Sequence, residues 1–173
     1  MEKYGYRFSF GPWNIHEGAD PFGPPVRPSR SFDDKLAVYK ELGFDAVQFH
    51  DDDAVPAMDQ LSPAQITTQA RAMADKLADQ GLVAEFVAPR LWEQPNTVDG
   101  AFTANDPQVR AYALDRAKKA ADIGRELGTN LMVWWLAREG TYLREAKDAV
   151  RATHLLQEAL NALLEYDPEL RIA

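Results

Sequence analysis

Three predicted helices end at a glycine that is followed at once by a short apolar segment. The glycines are Gly43, Gly81 and Gly128, and the segments are 44–50, 82–88 and 129–136. Glycine commonly ends a helix in the left-handed conformation because it has no Cβ atom to clash there. Short segments rich in β-branched and aromatic residues predict buried strands. A similar segment at 6–11 adds a first strand, so the chain is predicted to alternate strands with helices.

Helices are predicted between these strands. Their ranges are 32–42, Pro63 through Leu77, Pro107 to about Leu127, and about 144–165. Ser31 is placed to cap the first, and Ser62 with Gln65 forms a capping-box pattern around the proline that opens the second. The last four residues, 170–173, are predicted to begin another strand.

The order of elements predicts parallel strands joined by helical crossovers, which is an α/β fold. A parallel (β/α) barrel and a doubly wound open sheet both fit this order. The first strand is followed by Pro12, Trp13 and Asn14 rather than by a glycine-rich phosphate-binding turn, which weakens the doubly wound dinucleotide-binding alternative. The long loop over about 12–30 follows the end of a strand, which is where barrels carry functional residues.

Composition excludes several classes of function. The chain has 173 residues and no cysteine, which rules out disulfides, thiolate nucleophiles and Cys-ligated metal sites. A formal net charge of −8 provides no basic surface for nucleic acid or for anionic lipid. No apolar segment approaches the roughly 20 residues that a membrane span needs. We therefore expect a cytoplasmic protein without nucleic-acid or membrane partners.

The segment 49–53 reads FHDDD and follows the second strand. The carboxyl ends of barrel strands carry the active residues in this fold. His50 can exchange protons near neutral pH, and a carboxylate one turn away can accept its other N–H and fix its tautomer. Asp53 is better placed for this role than Asp51 or Asp52, which we expect to point outward. The alternative is a solvated acidic turn that caps the next element, and the pattern alone leaves both open.

Aromatic residues gather at the predicted strand ends: Trp13, Trp92, Trp134 and Trp135. Aromatic rings suit the C–H faces of a sugar, whereas the alternative for each is barrel core. Because neighbouring strand residues face opposite sides, only one of Trp134 and Trp135 can face inward.

The remaining polar residues are weaker candidates for the functional site. We interpret His16 as a surface residue and His154 as a structural residue within a helix. The segment 138–140 fits either polar site groups or an ion-paired loop. No metal-ligand motif such as H-E-x-x-H is present, so we predict no metal site from these residues.

Several motifs resemble those of the xylose isomerase family, in the family's order along nearly the whole chain. They are FHDDD at 49–53, DPFG at 20–23, FTAND at 102–106, FSFGPW at 8–13, and Trp135 with REG at 138–140. The resemblance implies a (β/α)8 barrel enzyme that interconverts D-xylose and D-xylulose by a hydride shift, using two divalent cations, Mg²⁺ or Mn²⁺.

The same resemblance implies roles for individual residues. His50 would assist opening of the sugar ring and Asp53 would hold its imidazole. Trp13 and Trp135 would wall the sugar, and Phe22 would reach into the site of a neighbouring subunit, since the family forms homo-oligomers of paired dimers. Trp92 takes the place of the family's aromatic residue after the third strand, where Arg90 replaces an amide.

The resemblance also implies that residues 1–173 correspond to the N-terminal half of such a barrel, with about four β/α units. The family's metal ligands begin at the fifth strand, so we expect the isolated chain to be inactive. Two alternatives remain. One is a non-catalytic half-barrel that self-associates; the other is a related sugar or sugar-phosphate isomerase or epimerase.

Overall fold

A computed structural model describes residues 5–18 and 23–173. Within this part the chain forms five strands, β1 (Ser9–Phe10), β2 (Ala46–His50), β3 (Val83–Ala88), β4 (Leu131–Met132) and β5 (Arg171–Ile172). The helices are α1 (Phe32–Leu42), α2 (Asp51–Ala54), α3 (Pro63–Asp79), α4 (Pro107–Glu126) and α5 (Ala149–Tyr166). Short 3₁₀ turns lie at Pro12–Asn14, Met58–Gln60, Pro95–Thr97 and Arg144–Ala146.

The five described strands form one sheet in the order β1-β2-β3-β4-β5, and every neighbouring pair is parallel. A doubly wound sheet reverses its strand order at a switch point, whereas a barrel adds each new strand beside the last. The sequential order therefore confirms the predicted barrel type, and the described part is consistent with a fragment of one. All strand carboxyl ends lie at one edge of this sheet.

Local sequence signals account for the helix ends. The Ser31 hydroxyl accepts a hydrogen bond from the backbone N–H of Asp34 at 3.1 Å, at the predicted start of α1. Ser62 and Gln65 form the predicted capping box at the start of α3. Gly43 ends α1 with φ of 73°, the left-handed conformation for which glycine was expected.

Two kinds of boundary differ from the structure: predicted strands are longer than the observed ones, and the last helix starts later than predicted. The segment 6–11 forms a strand only over Ser9–Phe10. The segment 129–136 forms a strand only over Leu131–Met132, although the backbone N–H groups of Val133 and Trp134 still donate to the Val87 and Ala173 carbonyls.

The second difference is the start of the last helix, which was predicted near residue 144. Helix α5 starts at Ala149, because Lys147 has an extended backbone. Its buried side chain donates to the Asp99 carbonyl and the Thr103 hydroxyl. The helix is then capped by Asp148, whose carboxylate accepts from the Arg151 N–H at 2.9 Å.

The core lies between the sheet and helices α3 and α4. Its buried members include Val47, Phe49, Val87, Met132, Ile66, Leu77, Ile123 and Leu127. Helix α4 presents small residues to the sheet (Ala113, Ala117, Ala120, Ala121 and Gly124), which permit close packing against β3 and β4. None of the described helices is long and apolar enough to cross a membrane.

Candidate active site

The end of β2 turns directly into α2, and this turn carries the candidate acid–base pair. Asp53 Oδ2 lies 3.1 Å from Nδ1 of His50 and also accepts the backbone N–H of His50 at 3.2 Å. His50 is 7% exposed. The contact expected between these two side chains is therefore present. The structure shows no protein partner for Nε2 of His50 among the described residues, so a hydrogen bond from Nδ1–H to Asp53 leaves that nitrogen available to a ligand.

Asp51 does not point outward, contrary to expectation. Its carboxylate is fully buried and receives two hydrogen bonds from Arg116 of α4, at 2.7 and 2.8 Å. Burial alone would lower the pKa of Arg116, but hydrogen bonding and the charge of Asp51 raise it well above its usual range. Asp52 is part-buried rather than solvated, because Arg116 and Arg90 both contact it. A buried charge needs such partners, which the segment 49–53 alone does not show.

Arg90 connects the acidic turn to the next strand. Its Nε donates to Asp52 at 2.8 Å, Nη2 donates to Asp53 Oδ1 at 2.9 Å, and Nη1 lies 3.3 Å from Glu93. Burial raises the pKa of Asp53, but the hydrogen bond from His50 and the charge of Arg90 outweigh it and lower that pKa below the ordinary carboxyl value. Asp53 is therefore held as a carboxylate beside the imidazole.

A cavity of about 300 Å³ opens beside His50. Its lining comprises Trp13, His50, Phe86, Ala88, Arg90, Trp92, Glu93, Val133 and Trp135. The ring centroids of Trp13 and Trp92 lie 4.3 and 5.1 Å from that of His50, and Trp135 lies 6.4 Å from Trp92. The structure thus brings together predicted site residues from the carboxyl ends of four strands: Trp13 after β1, His50 at the end of β2, Trp92 after β3 and Trp135 after β4.

The two adjacent tryptophans lie beyond the end of β4, and their side chains nevertheless have different surroundings. Trp134 is buried and stacks on Phe102 with centroids 4.0 Å apart, whereas Trp135 is 64% exposed at the cavity. Trp134 is therefore core and Trp135 belongs to the candidate site.

Sequence reasoning missed how Trp13 is held. Its ring lies directly against Gly11, where an added Cβ atom would overlap the indole. Gly11 is buried. The signal was visible as a glycine two residues before the tryptophan, but only the folded loop shows the contact.

The sequence also did not single out Phe86, Ala88, Glu93 and Val133 as cavity residues. Phe86 and Ala88 alternate along β3 and so share one face of the strand, a pattern that could have placed them together.

The remaining candidates lie away from this cavity. His16 is exposed and its ring accepts the Gly18 N–H. His154 is exposed on α5, so its predicted structural role is wrong. Glu139 binds the backbone N–H groups of 101–103 and thereby fastens one loop to another. The prediction for Phe22 lies outside the described residues.

A metal site is a further question. Among residues 5–18 and 23–173, no group of three or more histidine, aspartate or glutamate side chains could hold a metal ion. The acidic turn does not fit one either, because arginines occupy the carboxylates of Asp51, Asp52 and Asp53. The residues described here thus do not form the cation site that the resemblance implies for the family.

The sequential parallel sheet, with a histidine–carboxylate pair at its carboxyl edge, defines an α/β barrel protein with an active-site-like cavity. A model of the xylose isomerase-like TIM barrel family matches residues 36–172. The chain belongs to this family.

Curated relatives support the same assignment. The chain is 38% identical over 168 residues to the xylose isomerase of Thermus thermophilus, and 35% identical over 167 residues to that of Thermus caldophilus. Each match covers 95% of this chain but 42% of the relative. The chain thus spans less than half the length of these relatives.

Solved structures show the fold at lower identity. A D-psicose 3-epimerase crystallised with D-fructose superposes with a TM-score of 0.55 and 16% identity, over 83% of this chain and 46% of the other. A xylose isomerase domain protein from Planctomyces limnophilus superposes with a TM-score of 0.54 and 16% identity, over 79% of this chain and 47% of the other. Sugar isomerases and epimerases thus share this barrel.

Proposed function

We propose that this chain carries the sugar-binding and ring-opening part of an aldose–ketose isomerase that converts D-xylose to D-xylulose. The observation that carries the proposal is the His50–Asp53 pair, at 3.1 Å, beside a cavity walled by three tryptophans. The curated relatives named xylose isomerase support the same activity, which belongs to the full-length protein.

The chemistry asked of this pair is proton transfer. Opening a cyclic aldose removes the proton from the anomeric hydroxyl, breaks the bond between C1 and the ring oxygen, and delivers a proton to that oxygen. Asp53 holds Nδ1–H of His50, so Nε2 can accept the first proton as a general base, and the imidazolium can return it. The carboxylate stabilises the imidazolium while it exists.

The aromatic walls supply binding and exclusion of water. Trp13, Trp92 and Trp135 offer faces that contact the C–H groups of a sugar. A hydrophobic wall around the reacting carbons also limits exchange of hydrogen with solvent.

The charge of the cavity favours a neutral sugar over a sugar phosphate. Arg90 is the one cationic lining residue of this cavity in the described part, and it is already paired with Asp52, Asp53 and Glu93. A phosphate placed there would meet more carboxylate than free guanidinium charge. The sugar-phosphate isomerase is thus the less favoured alternative.

We propose that the protein binds divalent cations, Mg²⁺ or Mn²⁺, through ligands that are not among the described residues. The proposal derives from the family membership, and no step of the ring opening described above passes through them.

Cytoplasmic location and a homo-oligomer, dimer or tetramer, are likewise proposals. Light scattering of the full-length protein tests the assembly, and a monomer would contradict it.

The full-length protein tests the function directly. Purified with Mg²⁺ or Mn²⁺, it is expected to form D-xylulose from D-xylose and to leave phosphorylated aldoses unconverted. His50→Asn is expected to lower kcat about 100-fold, a typical contribution of a general base. His154→Asn, on an exposed helix surface, is the matched control and should retain full activity.

Three results would contradict the proposal. They are absence of D-xylulose with either metal, turnover of phosphorylated sugars alone, and equal loss of activity in the two histidine variants. A non-catalytic half-barrel is the alternative that the first of these results would support.

A further inference from the structure

Arg90 lies two residues after the end of β3, at the position where the resemblance leads one to expect an amide. Its side chain is 17% exposed, and three of its N–H groups reach the carboxylates of Asp52, Asp53 and Glu93. Its backbone N–H also donates to Asp51 Oδ1 at 3.1 Å. One residue thus contacts all three aspartates of the acidic turn.

The two oxygens of Asp53 have different partners. Oδ2 accepts from the backbone and faces the ring of His50, while Oδ1 accepts only from Arg90 among the described residues. Contacts at both ends fix the plane of the carboxylate. Without Arg90, one end would be free and the carboxylate could rotate about its last bond.

We propose that Arg90 is a positioning residue that fixes Asp53 and, through it, holds His50 in the Nδ1–H tautomer with Nε2 directed to the ligand. Its catalytic consequence depends on the proposed function, whereas the orientation of the imidazole does not. The charge of Arg90 also keeps Asp53 ionised and therefore a hydrogen-bond acceptor.

The guanidinium suits this task better than the residues that could replace it. Its planar fork donates to Asp52 and Asp53 at the same time, from Nε and Nη2. Lysine would bring the charge from a single flexible nitrogen. Glutamine would bring donors without the charge.

Other charged groups around Asp53 do not duplicate this contact. Tyr39 of α1 lies close enough to Asp53 for an electrostatic interaction, because burial and the charge of Asp53 both raise the pKa of the tyrosine. Asp52 and Glu93 carry the same charge as Asp53 and pair with other nitrogens of Arg90, and Arg116 contacts Asp51, Asp52 and Asp59. Arg90 is thus the cation that reaches Asp53 among the described residues.

The test is ¹⁵N NMR of the full-length protein labelled at histidine, at about pH 8, which is above the ordinary histidine pKa of about 6.5. The signals of His50 are assigned by their loss in His50→Asn. We expect the wild-type ring to be protonated at Nδ1. Arg90→Gln is expected to give a mixture of the two tautomers, and Arg71→Gln, which removes an exposed arginine bound to Glu126, is expected to leave the signals unchanged.

The outcomes separate positioning from folding. If Arg90→Gln fails to fold by circular dichroism, Arg90→Lys keeps the charge but not the fork, and it should also mix the tautomers. Wild-type His50 signals in a folded Arg90 variant would overturn the inference. Signals altered equally in the Arg71 variant would also overturn it.

Kinetics then distinguish this inference from the proposed function. If the full-length protein isomerises D-xylose, Arg90→Gln should lower kcat on the order of tenfold to a hundredfold, the scale of a misplaced catalytic group. Its KM should change less. If no isomerisation occurs but the tautomer still shifts in Arg90→Gln, the positioning role stands and the proposed function fails.

Discussion

Arg116 of α4 forms a two-pronged ion pair with Asp51, the residue that follows strand β2, and the side chains are 2% and 0% exposed. This pair joins the helix layer to the turn that carries His50. Because both charges are out of water, loss of Arg116 leaves the buried Asp51 carboxylate without its paired cation.

We therefore expect Arg116→Leu to reduce the free energy of unfolding by about 3–5 kcal/mol. The measurement is chemical denaturation followed by circular dichroism. Arg71→Gln is the matched control, since its exposed pair with Glu126 should contribute less than about 1 kcal/mol. An equal loss of unfolding free energy in the two variants would show that the buried pair stabilises the fold no more than the exposed one.

Trp135 is the exposed wall of the cavity, at 64% exposure. Trp135→Ala should remove ring contacts worth about 0.5–1.5 kcal/mol and so raise KM for the sugar roughly twofold to tenfold, with little change in kcat. Tyr142→Ala removes a still more exposed aromatic residue, which lies outside this cavity, and should leave KM unchanged. The prediction fails if steady-state kinetics show the same KM for the Trp135 variant and the wild type.

Gly11 leaves room for the ring of Trp13, which itself lies 4.3 Å from the ring of His50. Gly11→Ala should displace the indole and weaken sugar binding, which titration calorimetry would record as a higher Kd. Gly140→Ala is the control, because open space surrounds its Cβ position. A Kd that rises equally in both variants, or in neither, would contradict the contact.

The lowered pKa of Asp53 has a consequence for stability in acid. Its folded pKa lies below the ordinary value of 3.8, so the stabilisation from the charged form is complete above that value and is lost as pH falls below it. The difference in unfolding free energy between wild type and Asp53→Asn should therefore shrink in that range. Urea denaturation from about pH 7 to about pH 2.5 measures it, and a constant difference would contradict the prediction.

Much of the fold was predictable because it depends on short-range signals. Ser31, Gly43, Ser62 and Asp106 mark helix ends through contacts within four residues, and each of these boundaries was predicted correctly. The end of β4 and the start of α5 were not predicted correctly. The end of β4 depends on backbone hydrogen bonds to the neighbouring strands β3 and β5, and the start of α5 depends on the buried contacts of Lys147.

The candidate site divides in the same way. The pair of His50 and Asp53 is three residues apart and joins one strand to one helical turn, so the order of residues in FHDDD was enough to suggest it. The alignment of Trp13, Trp92 and Trp135 on one cavity required parallel strands with a common carboxyl edge, which the alternation of elements predicted.

The sequence by itself determined the α/β class, most of the helix ends and the close spacing of His50 and Asp53, because hydrophobic period, capping and local spacing all act over a few residues. Only the tertiary structure determined which charged side chains are buried and which of them form ion pairs. Asp51 and Arg116 are 65 residues apart in the chain, and Asp53 and Arg90 are 37 apart. Burial and pairing of such groups depend on which elements pack together, so Asp51, which was expected to face solvent, is buried against Arg116, and Arg90 pairs with the carboxylate beside His50.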